Sequence, residues 1–558
     1  MCGFFNVYIP GSGVGAKNTS VRKHLIRRAQ QKRQVITNVI TNSTQKTSNV
    51  EFYDNLIIGA GIGGIYLAAR LKKIKINETT LIVDKKNEIG GQQTSSITDD
   101  GVAIDLGPIR FYESIHLRIK SLASKYNSPL IQYLPNDVGQ IMYLRGKAFS
   151  SSNLFPASDE VYNINPSEKG INPFILLTNN LNTLIQNTDD LYKLEYRIYL
   201  IKNNPEFSIK TFQDLAQMDI SSENWQRIMD ILGYYDILSN KSAFIINALE
   251  SLVLSNKSEM QYRFKNGYSS LTKEIASKNN INLIDFDNIN KSQSQQTSCC
   301  LNTQVLKIVK SNDNINWNVM LGYTFANSPE QINSHIIKIK NITVKNIYYS
   351  GQINLLSSLY NFNNIFLNHL TYSFINVSAI RVFLRYSEDW MTQSGIHFGK
   401  SVTTLPGGQI IHYDDKYVMF YIFGNQANVL HSNMPSPQIQ STLISPNQYT
   451  APLIQECNNI LKTTFSRESL PEVTGIAWAT WNAPFRLHSA RNLQTLESST
   501  NIFDVMNNVM FPFGKDGNFY ILSNEIGLNA AWCEGSVENV DYFLNVKYNE
   551  PLFGPTQL

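Results

Sequence analysis

Residues 53–71 read YDNLIIGAGIGGIYLAARL, and the three glycines at its centre decide the fold. Gly59, Gly61 and Gly64 hold the spacing G-x-G-x-x-G. The first permits a tight turn, the second lets backbone approach a pyrophosphate, and the third lets a helix pack closely on a strand. The context fits each role. NLIIG (55–59) is a short apolar run ending in glycine, the pattern of a buried parallel strand. Ile65, Ala68 and Ala69 then recur at helical spacing, and TTLIVD (79–84) is a second β-branched run. Strand, glycine turn, helix and strand make a βαβ unit, whose helix start offers N–H groups to phosphate. Asp84 closes the second strand about 20 residues past Gly64, where a carboxylate accepts hydrogen bonds from a ribose. The spacing predicts a dinucleotide-binding α/β domain.

Outward from this unit, 558 residues suit two domains with insertions, and 28 Phe with 28 Tyr supply ample core. The net charge of +4 conceals an asymmetry. Residues 1–50 carry eight Lys or Arg and no Asp or Glu, which leaves 40 basic against 44 acidic residues in the rest of the chain. The body is therefore mildly acidic, which argues against nucleic acid as its partner. The tail reads as a solvated extension, as a mitochondrial transit-like segment, or as an arm for an acidic partner. Five cysteines (Cys2, Cys299, Cys300, Cys457, Cys533) show neither metal-ligand nor disulfide spacing, so no metal is expected. No membrane span or secretory signal is evident, which points to a soluble, reducing, cytoplasmic setting.

Further along, residues 115–284 are patterned as helix. Strand patterns return in TQVLKIVK, WNVMLGYTF, HIIKIKNITV and KNIYYSG, then in SAIRVFLRYS and KYVMFYIFG, which alternate as a sheet with one buried face does. The Ser-, Pro-, Gln- and Asn-rich stretch 427–450 reads as an inserted loop.

Three segments carry a resemblance. VDKKNEIGGQQTS (83–95), with Gly90 and Gly91, is similar to the extended cofactor fingerprint of the FAD-dependent flavin amine oxidase superfamily, Gln92 standing where that family has arginine. IDLGPIRFYES (104–114) resembles the segment of L-amino-acid oxidases and bacterial L-tryptophan oxidases whose arginine grips the substrate carboxylate, a role that maps onto Arg110. NFYILSNEIGLNAAWCEGSVENV (518–540) resembles the C-terminal flavin segment, which implies cofactor contacts at Glu525 and Gly535 and an aromatic flavin wall at Trp532. Ala531 and Asn524 replace glycines of that pattern. The resemblance also implies an adenine-side contact at Val305, a second carboxylate ligand at Tyr421 or else Tyr417, and a water-holding role at Arg381, where the family has lysine.

The resemblance, which spans most of residues 52–548, implies a Rossmann-like FAD-binding domain built discontinuously from 51–125, 285–355 and 485–548. An α+β substrate domain of amine-oxidase type would take helical 126–284 and sheet-containing 356–484, with tails at 1–50 and 549–558. The implied activity is oxidative deamination of an L-amino acid by FAD and dioxygen. The alternatives are oxidation of a simple amine or polyamine, and a scaffold that has lost catalysis. A homodimer is left open.

Overall fold

The strand–glycine–helix–strand order is realised as read. β1 (Glu51–Ile58) enters the glycine turn, α1 (Ile62–Ile74) leaves it, and β2 (Thr80–Val83) returns parallel to β1 with Leu56 opposite Leu81 and Ile57 opposite Ile82. Leu56, Ile57, Leu81 and Ile82 are fully buried, as a strand covered on both faces requires. This computed structural model describes residues 51–133, 139–184, 190, 193–204, 212–217, 220–233, 260–291, 296–324, 336–360, 362, 374–488, 502–527, 529 and 532–552. The basic tail and Ala531 lie outside them. Phe52–Leu558 form one contact unit.

Two eight-stranded sheets organise that unit. The first runs Asn282–Leu283, Thr297–Cys300, β2, β1, Ile336–Tyr349, Trp317–Thr324 and Thr303–Lys310, and Phe519–Ile521 joins Ile336–Tyr349 in parallel. α1 covers it together with the helices Ser269–Lys278 and Cys533–Tyr548. The second runs Ile439–Ile444, Val473–His488, Phe374–Tyr386, Tyr417–Phe423, Gly408–Asp414, Gly399–Thr403, Ile141–Leu144 and Lys147–Ser150. A small third sheet pairs Phe111–Tyr112 and Leu130–Tyr133 with Gln261–Phe264. The architecture is mixed α/β.

Local reading went astray in four places. The stretch 115–284 is not helical throughout, since Leu130–Tyr133, Ile141–Leu144, Lys147–Ser150 and Gln261–Phe264 are strands. Leu130–Tyr133 and Ile141–Leu144 pair with strands more than a hundred residues away, and Lys147–Ser150 follows Ile141–Leu144 as a short hairpin, so runs of four residues show too little period to announce them. The supposed loop 427–450 starts within the helix Gly424–Leu430 and contains the edge strand Ile439–Ile444, and an edge tolerates the polar residues that suggested a loop. Tyr417–Phe423 does not alternate, because both of its faces are covered. The polar run ending at Cys300 closes with a fully buried parallel strand, Thr297–Cys300, between β2 and Asn282–Leu283.

Candidate cofactor and substrate site

The glycine turn shows why each glycine is required. Gly59 has φ +114°, and a Cβ there would lie 2.9 Å from the Ser350 carbonyl oxygen. A Cβ on Gly64 would lie 2.0 Å from the Gly59 carbonyl oxygen, so helix and strand touch through this residue. Gly61 caps α1 without a side chain, and no acidic residue occupies the first turn, so the helix start is a donor surface for an anion. The second glycine turn closes over the first. Gly61 and Gly90 form a parallel bridge, the Gly90 amide donates to the Ala60 carbonyl at 3.0 Å, and a Cβ on Gly91 would meet the Gly61 Cα at 2.9 Å.

Asp84 ties this cradle to β2. Its carboxylate accepts from the Ala60 amide at 2.7 Å and from the Lys86 amide at 2.8 Å. A carboxylate has about four lone-pair sites, so capacity for a ribose hydroxyl remains. Asp84 and Lys86 also accept, through their carbonyls, from the Thr303 and Asn302 amides at 2.7 Å, which sets the strand bearing Val305 beside them. The Lys86 ammonium donates to the Gly91 carbonyl at 2.6 Å and to Thr94 Oγ1 at 3.2 Å. Burial draws its pKa down, and the Asp84 charge works against that. Thus a cation absent at Gln92 is present at Lys86. Backbone at Gln92 has a packing role, for a Cβ on Gly107 would lie 1.9 Å from its carbonyl oxygen.

The C-terminal segment meets the same place. Gln93 Nε2 donates to Cys533 Sγ at 3.2 Å, joining the Gly-Gly turn to the start of Cys533–Tyr548. Trp532 is the N-cap residue of that helix. Gly535 allows close approach, since a Cβ there would be 2.0 Å from the Asn529 carbonyl oxygen. Glu525, in the turn Asn524–Ile526, accepts from the Ile353 amide at 2.9 Å and so caps the helix Ile353–Leu359. A buried charge cluster fixes the helix behind Trp532: the Arg118 guanidinium pairs with Glu534 at 3.3 Å, Glu538 at 3.3 Å and Asp541 at 3.2 Å, and Arg197 pairs with Glu538.

The predicted substrate residues fall into two groups. Half-buried Arg110 lies 5.7 Å from the Tyr133 ring centre. Two residues on, the Tyr112 ring meets Trp532 edge-on at 5.8 Å. Arg381, opposite Tyr421 in the second sheet, holds its guanidinium 3.9 Å from the Tyr421 ring centre and donates to the Asp105 carbonyl at 3.1 Å. Tyr133 and Tyr421 belong to one apolar cluster, which links the groups. Tyr417 is engaged elsewhere, its hydroxyl donating to Asp100 at 2.7 Å.

Three residues at the site escaped the sequence reading. His116 is buried behind Trp532, ring centres 4.5 Å apart, and its Nδ1 accepts from the Tyr112 amide at 2.9 Å. Burial, reinforced by the Arg197 charge, pushes its pKa down to about 3, so the imidazole is neutral. Asp105 is fully buried and accepts from Ser95 Oγ at 2.5 Å and the Tyr268 amide at 2.8 Å. Burial raises its pKa to about 6, against those hydrogen bonds and the Arg381 charge. Trp481 donates to the Leu106 carbonyl at 2.9 Å and faces the Lys86 ammonium at 5.3 Å. Asp105 directly precedes the Leu-Gly-Pro motif and was legible as a polar residue in an apolar strand, whereas nothing local marks His116 or Trp481.

The cradle, its cationic lysine and the donor surface at α1 fit a dinucleotide, and the aromatic pair at Trp532 fits a flat ring. The chain has the fold of a solved amine oxidase, with a Rossmann-like nucleotide-binding domain at its glycine turn. Residues 57–126 match the NAD(P)-binding Rossmann-like domain. A solved structure of a putrescine oxidase double mutant, from a redesign of cofactor binding, superimposes with TM-score 0.58 at 12% identity over 89% of this chain and 99% of that one. The chain is 21% identical to an uncharacterized protein, R188, of Acanthamoeba polyphaga mimivirus over 91% of its own length and 96% of that protein's. An L-amino-acid oxidase of Demansia vestigiata is 21% identical and one of Pseudechis australis 23%, each over 67% of this chain and 65% of its own length. Among the described residues no helix is long and apolar enough to cross a membrane, and no cluster of metal-ligating side chains occurs.

Proposed function

We propose that the protein is an FAD-dependent oxidase that deaminates an L-amino acid, with dioxygen and water, to a 2-oxo acid, ammonia and hydrogen peroxide. The observation that carries this reading is the short segment from Arg110 to His116, which joins a guanidinium to the aromatic wall through Tyr112 and Trp532. Gly59, Gly61, Gly64, Asp84, Gly90, Gly91, Gln92, Val305, Glu525 and Gly535 would hold the cofactor. Bound FAD supplies the hydride acceptor for the substrate α-carbon and the electron path to dioxygen.

Arg110 offers a carboxylate two parallel N–H bonds, which fixes the α-carbon as well as the charge. The Tyr421 hydroxyl is a second donor for the same group. Trp532, backed by His116 and Tyr112, keeps bulk water from the reacting amine. Because His116 is neutral, it adds no positive charge beside an amine that must itself be neutral to react. Arg381, held by the Asp105 carbonyl and the Tyr421 ring, orients its neighbours.

Oxidation of a simple amine or diamine is the second reading, supported by the likeness to the putrescine oxidase structure. An inert scaffold is the third, supported by the commitment of Arg381 to partners within the protein. One experiment separates them: flavin absorbance of the purified chain, followed by peroxide release from the twenty amino acids and from putrescine, with Arg110→Ala alongside. Peroxide from amino acids that vanishes in Arg110→Ala is the expected result. Peroxide from putrescine alone, indifferent to Arg110→Ala, would replace the amino acid by an amine, and a colourless protein that takes up no FAD would end both oxidase readings.

A further inference from the structure

A cleft lies at the end of the first sheet's strands opposite to the glycine cradle. Asn346 marks the place: its amide donates to the Asp54 carbonyl at 3.2 Å, at the entry end of β1, whereas the cofactor cradle follows its exit end. The cleft has a volume of about 560 Å³, within the range of small-molecule sites.

Its lining mixes charge and rings. The charged residues are Lys75, Lys310, Lys345 and Lys547 against Glu78 and Asp516. Three of these ammoniums are braced on rings: Lys310 lies 4.0 Å from the Trp317 centre, Lys75 5.2 Å from Tyr548 and Lys547 5.6 Å from Tyr520. Each ammonium has three donors, and the hydrogen bonds found account for one apiece: Lys310 to Asn518 Oδ1, Lys75 to Glu78 and Lys547 to the Lys515 carbonyl. Lys345 is exposed, with no hydrogen-bond or ion-pair partner among the described residues. Burial lowers the pKa of Lys310, the mark of an ammonium short of water.

The rings also form a group. Trp317, Tyr360 and Phe513 form a cluster with centres 5.4 to 6.0 Å apart. Phe513 keeps 45% of its surface open toward this space. An exposed ring beside underused ammoniums suits one kind of ligand, a small anion that carries its own flat ring.

We propose that this cleft binds a phosphate-bearing aromatic molecule of mononucleotide size, its ring against Phe513 and its phosphate among Lys310, Lys345 and Lys547. The site is separate from the cofactor cradle and does not depend on the oxidase reading.

The test is titration calorimetry of the full chain with adenosine monophosphate, adenosine and inorganic phosphate. The chain is first loaded with FAD and freed of unbound FAD by gel filtration, so that the glycine cradle is filled and no free dinucleotide competes for the cleft. Lys345→Met and Phe513→Ala, both at exposed positions, are compared with the parent. The expected result is binding of adenosine monophosphate that weakens at least tenfold in each variant, weakens with salt, and exceeds that of adenosine or phosphate alone. No binding, or binding indifferent to both variants, would overturn the site. Phosphate binding as tightly as the nucleotide would overturn the ring-bearing ligand.

Discussion

The glycine cradle and the wall formed by Arg110, Tyr133, Arg381 and Tyr421 differ in what builds them. The cradle is made of backbone sterics within about thirty residues of sequence: one missing Cβ at Gly64, another at Gly91, and a carboxylate tying the turn to the next strand. The wall is made by register. Arg381 faces Tyr421 because two strands pair at that position, and Arg110 reaches Tyr133 because a two-residue strand and a four-residue strand share a partner. A turn held by sterics tolerates nothing at its centre. A wall held by pairing tolerates changes that keep its charge and size.

The largest effect should come from the cradle. Gly64→Ala would set a methyl 2.0 Å from the Gly59 carbonyl oxygen, and displacing backbone there is expected to cost about 3 kcal/mol. A clear fall in melting temperature with loss of bound flavin would show it; an unchanged melting curve would break the contrast. The next effect belongs to the wall. Arg110→Ala should raise KM for an amino acid by roughly 10- to 150-fold, the worth of one charged hydrogen bond, with the melting temperature nearly unchanged.

Asp105 sharpens the comparison through pH. Its folded pKa of about 6 exceeds the ordinary 3.8, so the folded state holds the extra proton between those values. Its contribution to stability is therefore full below pH 3.8 and is lost as pH rises to about 6, with a slope of at most about 1.4 kcal/mol per pH unit. Asp105→Asn should flatten that fall in thermal melts between pH 4 and 6.5, and equal slopes in parent and variant would refute the assignment. The smallest effect is expected at Glu88, a fingerprint residue whose partner is half-exposed Lys273 at 3.4 Å. Glu88→Gln should change stability by less than about 0.5 kcal/mol in denaturant titrations.

Legibility in the sequence follows the same division. The βαβ unit could be read from YDNLIIGAGIGG because periodicity, turn and acid all fall within one local window. Trp532 and Gly535 could be proposed from a motif, yet the partners that hold Trp532 could not. His116 stands 416 residues earlier in the chain, and Arg118 reaches across a similar span to Glu534, Glu538 and Asp541. The short strands at 130–133, 141–144 and 147–150 were missed because their conformation is dictated by neighbours rather than by their own residues. Arg381 was noticed as a departure from a family pattern, but its hold on the Asp105 carbonyl depends on tertiary placement alone.

The shared carboxylate of Glu538 has a mechanical meaning. It binds Arg118 and also Arg197, which stands on the helix Leu194–Asn203, while its own helix begins at Trp532. Removing the Glu538 carboxylate would leave two buried guanidinium groups short of a partner, at about 3–5 kcal/mol. The segment carrying Arg197 and the helix that starts at the indole are thereby anchored to one carboxylate.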